Sequence, residues 1–307
     1  MRVLVTGASG QLGTDLVDAL EGRIPVGGAA TALLGGSQVA PGEFEVTALT
    51  HADLEIEDKG AVAHAVEAAE PDVVVHLAAF TAVDRAETEP ELAHAVNATG
   101  TLNIAAAASA AGAHLVYTST DYVFDGTKRS AYLEDDRTSP RSVYGESKLG
   151  GELACPPAAT IARVSWVAGF HGRNIVRLAV DRARRGEPMR FVDDQRGCPS
   201  FAADLAAGIV TLVRERPAGI VHLTNAGSTT WFELVRAVVD AAGGDPESVS
   251  AISTAELDPQ PLAPRPENSV LQPGRLLADG YDLLPAWEDA MHRLVAAFVE
   301  GSARDPD

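Results

Sequence analysis

The stretch MRVLVTGASGQLG, residues 1–13, decides the fold. Val3, Leu4 and Val5 form an unbroken apolar run, as expected of a strand buried on both faces in a parallel sheet. The run stops at Thr6-Gly7, and a helix is predicted from about Gln11. Between them stand Gly7, Gly10 and Gly13. In such a turn the first glycine allows the tight bend and the second lets the backbone approach a pyrophosphate. The third lets helix and strand pack closely. The phosphates would then sit on a helix N-terminus, where free N–H groups and the helix dipole favour negative charge.

Outward from this turn, strands alternate with helices. EFEVTALT (43–50), PDVVVHLAA (71–79), AHLVYTST (113–120) and TIARVSW (160–166) read as strands. A helix is predicted from about Asp58, a long alanine-rich one ends near Ala111, and another carries Tyr144. This alternation predicts an α/β fold, a Rossmann-type doubly wound parallel sheet. After Trp166 the spacing becomes irregular, and the run DPQPLAPRPENS (258–269) is rich in proline. A smaller, loop-rich, C-terminal substrate-binding lobe is therefore expected. The dinucleotide-binding part would span 1–165 plus about 200–225, and the lobe 166–199 and 226–307. The segment 21–42, with six glycines and two prolines, is unusually long for a connection and reads as a surface insertion.

Composition narrows the function. A net charge of −19 and 46% apolar residues describe a globular chain that neither nucleic acid nor an anionic membrane would attract. Two cysteines, Cys155 and Cys198, give no disulfide framework, and the eight histidines show no metal-binding spacing. No signal peptide or membrane span is evident, so a cytoplasmic location is expected.

The stretch SVYGESKLGGE (142–152) places Tyr144 four residues before Lys148 on one helical face. The chain has only three lysines, Lys59, Lys128 and Lys148, and five tyrosines. A chance Tyr-x-x-x-Lys should then occur about 0.05 times. Downstream of a dinucleotide turn, and with Ser119 and Thr120 ending the fourth strand, the pair reads as a proton-transfer site. The lysine ammonium is expected to favour phenolate and lower the pKa of Tyr144. Thr120 could hold a carbonyl oxygen while Tyr144 protonates it and a nicotinamide delivers hydride.

With these residues in place, the chain resembles the extended short-chain dehydrogenase/reductase family. The motifs TGASGQLG, AAFTAVDRAE, VNATG, STDYVFDG, YGESKLGGE, RVSWV, VDDQRGCPS and APRPENS occur in order along nearly the whole length. Within the family they are most similar to the branch that reduces dTDP-4-keto-6-deoxy sugars. The resemblance implies that Thr120, Tyr144 and Lys148 are catalytic and that Asn97 supports them. It implies a cofactor site of Gly7, Gly10, Gln11, Leu12, Gly13, Asp53, Leu54, Ala78, Ala79 and Thr81, together with Tyr144 and Lys148. It also implies that Thr81, Val83, Asp121, Trp166 and Arg265 meet the dTDP-sugar. The implied reaction is reduction of dTDP-4-dehydro-L-rhamnose to dTDP-L-rhamnose by NADPH. Another dTDP-4-keto-6-deoxy sugar and a non-catalytic NADP-binding regulatory subunit are the alternatives. A dehydratase is disfavoured, because Thr120 is followed by Asp121 and Tyr122 where that group has an Asp-Glu pair.

Some relatives bind magnesium through acidic side chains at a dimer contact, and Asp15 stands near the matching place; no ligand set is assigned, and the chain is expected to be a monomer or homodimer. The strand EVTALT ends at Thr50 and His51 with no carboxylate there to repel a 2′-phosphate. NADPH should be preferred and NADH usable, with Asp53 the residue that could reverse the preference and Arg23 the one that could reinforce it. The chain departs from its branch at Ala168, at Ser200 and in the 21–42 insertion.

Overall fold

The computed structural model describes residues 1–24, 27–28 and 39–303, so most of the 21–42 insertion lies outside the described residues. Five strands follow the sequence-based expectation: β1 (Arg2–Thr6), β2 (Glu45–Leu49), β3 (Val73–His76), β4 (His114–Thr120) and β5 (Thr160–Val164). With the strand Gly219–His222 they form one six-stranded sheet in the order Gly219–His222, β5, β4, β3, β1, β2. Every pairing is parallel. The chain leaves β1 toward β2 on one side and returns to β3 on the other. The crevice beyond the ends of β1 and β3 is thus the switch point where ligands bind in such sheets.

Alternation of side chains across the strands builds the three layers. Val3, Val5, Val73 and Val75 face helix α1 (Gln11–Leu20) and the helix Ala202–Glu215. Leu4, Val74 and Leu115 face the helices Lys59–Ala69 and Thr101–Ala110. Asp58 caps the first of these two, accepting from Gly60 N and Ala61 N at 2.8 and 3.0 Å. The alanine-rich helix ends where expected but is not continuous. It starts as two short α-helices, Val83–Thr88 and Pro90–His94, and passes through a π-helical turn at Ala95–Gly100 before Thr101–Ala110.

The second half is more ordered than its irregular spacing suggested. The helices Ile175–Arg184, Trp231–Ala241 and Trp287–Ala303 pack around Val176, Val180, Val235, Val238 and Met291 in a separate apolar cluster. Leu276 and Leu284, placed in the lobe from sequence, instead pack into the core of the large sheet. The helix Gly274–Ala278 packs on the strand Gly219–His222 and the strand Leu284–Ala286 on the helix Ala202–Glu215, which brings both leucines to that core. No described helix is long and apolar enough to cross a membrane.

Candidate active site

The glycine turn is set by backbone contacts. Gly7 has φ +73°, and a Cβ there would lie 2.6 Å from Ala78 N, so the turn sits directly on the end of β3. A Cβ on Gly13 would lie 2.2 Å from Gly7 O, which brings α1 down onto the turn it follows. Gly10 donates its N–H to Gly7 O at 3.0 Å. Gln11 reaches across the molecule: its Oε1 accepts from Gly169 N (3.1 Å) and Asn174 Nδ2 (3.0 Å). The first turn of α1 is thereby tied to the loop that opens the second lobe.

A cleft of about 850 Å³ starts at this turn, and it lies in the upper part of the usual range for small-molecule sites. Its walls include Thr50, His51 and Leu54 at the β2 end and Ala78, Ala79 and Thr81 beyond β3. Thr120, Asp121, Tyr144 and Lys148 lie farther along, and Val83, Trp166 and Trp231 complete the far end. All the expected contacts line this cleft except Asp53 and Arg265. The glycine turn at a helix N-terminus, opening into this cleft, suits a dinucleotide.

Asp53 is occupied within its own loop. Its Oδ2 accepts from Thr50 N at 2.9 Å and from Thr50 Oγ1 at 2.6 Å, and these bonds hold its carboxyl below the usual range. Arg265 enters a small side pocket with Tyr122, Arg141 and Ser142. There its Nη2 pairs with Asp84 at 2.6 Å and its Nη1 donates to Ala263 O at 3.1 Å. Arg23 pairs with Asp18 and Glu21 beside α1.

At the catalytic end, Tyr144 and Thr120 line the same stretch of the cleft. Thr120 donates to Asp121 Oδ1 at 3.0 Å and accepts from Tyr122 N at 3.2 Å. Ser142 caps the catalytic helix Val143–Ala154, accepting from Gly145 N at 3.1 Å, and so fixes where Tyr144 begins its first turn. Lys148 is buried, donates to Thr118 O at 2.7 Å and lies 4.3 Å above the ring of Tyr117.

The expected lowering of the Tyr144 pKa is not what this geometry gives. Burial pushes the phenol up to about 12, opposed by the nearby Thr120 hydroxyl and helped by the neighbouring Asp121 charge. Lys148 faces Thr118 instead and is itself pushed down to about 7, chiefly by burial. Desolvation outweighs the charge pairing that the spacing suggested. For a group that must donate a proton, the raised value keeps the phenol protonated.

The supporting asparagine works from the π-helical turn. Asn97 Oδ1 accepts from Phe80 N (2.8 Å), and its Nδ2 donates to Phe80 O (3.0 Å) and to Ser147 Oγ (2.9 Å). One buried amide thus clamps the loop after β3 to the catalytic helix. Sequence reading missed Trp231, whose ring stacks on Trp166 at 3.7 Å and 8°. Its neighbourhood did carry a signal: Thr230 and Glu233 form a capping box that starts the Trp231–Ala241 helix.

Asp15 lies fully buried on α1, its oxygens without hydrogen-bond partners and His171 Nε2 3.6 Å away. Burial, with the Asp18 charge, pushes its carboxyl up to about 7. Among the described residues no group of three potential ligands surrounds a metal position, and one carboxylate with one imidazole is an incomplete set.

A glycine turn at the sheet's switch point, joined by one cleft to a Thr-Tyr-Lys set on β4 and the following helix, defines an extended short-chain dehydrogenase/reductase. More narrowly, the family model of the RmlD substrate binding domain matches residues 1–300, and the chain belongs to that family. The dTDP-4-dehydrorhamnose reductase of Streptomyces griseus is 41% identical, over 94% of this chain and 91% of the relative. The dTDP-4-keto-6-deoxy-D-glucose reductase of Streptomyces niveus is 38% identical over 86% of each. Among solved structures, dTDP-4-dehydrorhamnose reductase from Bacillus anthracis str. Ames in complex with NADP is similar, with a TM-score of 0.85 and 33% identity. That likeness covers 95% of this chain and 98% of the other.

Proposed function

We propose that the chain reduces the C4 ketone of dTDP-4-dehydro-L-rhamnose to dTDP-L-rhamnose with NADPH, as a cytoplasmic enzyme. The observation that carries this reading is the placement of Thr120, Tyr144 and Lys148 in one cleft with the glycine turn, in a chain of this family. Bound NADPH supplies the hydride. The chain does the rest: Thr120 steadies the ketone oxygen, Tyr144 gives it a proton, and Lys148 holds the nicotinamide ribose. Trp166 and Val83 shape the sugar end. The large sheet with residues 200–225 serves as the cofactor half, and the smaller helical cluster serves as the substrate half. Incubation with NADPH and a panel of dTDP-4-keto sugars, with products identified by NMR, tests the reading. The L-rhamnose product is expected; turnover of only another keto sugar would move the assignment to that substrate, as the Streptomyces niveus relative illustrates.

NADPH should be preferred with NADH usable. Thr50 and His51, which follow β2 and line the cleft, carry no carboxylate themselves, and Arg23 is held by Asp18 beside α1. The ratio of kcat/KM values for the two cofactors at one ionic strength should favour NADPH by less than about 100-fold, or about 2.7 kcal/mol. A large preference for NADH would sink this and point to Asp53, which already holds the Thr50 hydroxyl.

Arg265 is proposed to grip the diphosphate by exchanging its bond to Asp84. Arg265→Ala should raise KM for the sugar nucleotide about tenfold with kcat little changed. An unaltered KM takes Arg265 out of the site.

A further inference from the structure

Behind Lys148 lies a buried ionic cluster that the reaction does not itself require. Glu152 follows Lys148 by one helical turn, and its carboxylate binds Arg163 of β5 through two bonds, Nε to Oε1 at 2.8 Å and Nη2 to Oε2 at 2.7 Å. Both side chains are nearly inaccessible, at 5% and 2% exposure. Ser119, the residue before Thr120, donates to the same Oε1 at 2.5 Å. Arg163 completes its contacts on Glu134 O and over the ring of Phe124. A buried pair of this kind is weak evidence of stability, because removing two charges from water costs about as much as their attraction returns. Its position therefore calls for another account.

We propose that Glu152 is a positioning residue for Lys148. Its negative charge keeps the Lys148 ammonium protonated inside an apolar wall, Arg163 holds that carboxylate in place, and Ser119 ties both to the strand carrying Thr120. The groups facing Lys148 are the Tyr117 ring and Thr118 O from β4, His76 from β3, and Glu152 and Cys155 at the C-terminal end of its own helix. His76 is buried between Thr6 and Thr101 and is pushed down to about 3 by burial, then by Lys148, so it stays neutral. Burial of Cys155 pushes its thiol up to about 12, so it too carries no charge near neutrality. Glu152 is left as the counter-charge on this side of the amine. Burial lowers the proton affinity of Lys148, and Glu152 is first among the groups that act against it.

The chain's three lysines make the test direct. Protein labelled with 13C at lysine Cε gives three side-chain signals to titrate, with Lys148 assigned by its loss in Lys148→Met. In Glu152→Gln the Lys148 midpoint should fall by about one pH unit, a tenfold change in its protonation equilibrium, while Lys59 and Lys128 stay put. The alkaline limb of kcat/KM should move down with it. Should Glu152→Gln not fold because Arg163 is left as an unpaired buried charge, the double variant Glu152→Gln/Arg163→Met carries the measurement. It removes both charges, retains an amide for Ser119, and should shift in the same direction. A Lys148 midpoint within about 0.3 pH unit of the native value in either folded variant overturns the proposal. So does failure of both variants to fold, which would make the pair a determinant of the fold alone. The link to catalysis rests on the reductase reading. The titration does not, so failure of that reading would leave the Lys148 result standing.

Discussion

Phenylalanine in place of Tyr144 should lower kcat by about 10² to 10⁴, the range for removing a positioned general acid. The change deletes one oxygen and leaves the ring. Its edge-on contact with Tyr122, at 5.5 Å between centroids, does not depend on the hydroxyl. The Asn97 clamp and the Ser142 cap, which place the catalytic helix, involve other side chains. Folding stability should therefore change little, and KM for the sugar nucleotide should stay within a few-fold, because the loss falls on the step in which the oxygen takes its proton. Thr120 keeps its bond to Asp121. Steady-state rates at saturating NADPH and dTDP-sugar check this. A variant within tenfold of the native rate would show that the proton comes from elsewhere.

Much of this site was legible because its residues act through spacing. Gly7, Gly10 and Gly13 serve a strand, a turn and a helix that lie within thirteen residues of one another, so local sequence holds the whole device. Tyr144 and Lys148 share a helix face by the same local rule. The unbroken apolar runs of β1 and β3 announced strands covered on both sides. Residues whose environment is assembled from distant segments were less legible. Asp53 is expected from sequence at the cofactor, and no local pattern shows that its carboxylate is taken up by Thr50. Trp231 stacks on a residue far away in the chain, and no pattern marks that contact. The proton affinity of Tyr144 was misjudged for a related reason. Sequence shows that a lysine is one turn away, but not that burial dominates both groups or that the amine faces Thr118. Periodicity counts neighbours along a helix and says nothing of the solvent they have lost.

Alanine at Gly13 should destabilise the protein by about 3 to 5 kcal/mol and abolish measurable NADPH binding. Two effects oppose each other here. Gly13 is helical, and helix propensity alone predicts that alanine would stabilise α1 by about 1 kcal/mol. Against this, its Cβ would stand 2.2 Å from Gly7 O, 2.8 Å from Ala8 Cα and 2.9 Å from Ala8 C. All three are backbone atoms, so no rotamer change relieves the contact, and α1 has to lift from the turn. Lifting it also withdraws Leu12, Leu16 and Leu20 from the core shared with the helix Ala202–Glu215. It loosens the Gln11 bonds to Gly169 and Asn174 that join the two halves of the molecule. The steric term is therefore expected to win by several kcal/mol. Gly112→Ala serves as the control: its φ is +70° with nothing within 4 Å of the added Cβ, so only the left-handed backbone cost of about 1–2 kcal/mol applies. Denaturant midpoints of the two variants, with fluorescence titration of NADPH, decide the matter. Gly13→Ala as stable as the native protein would mean that the turn has room the contacts deny, and that propensity governs α1 after all.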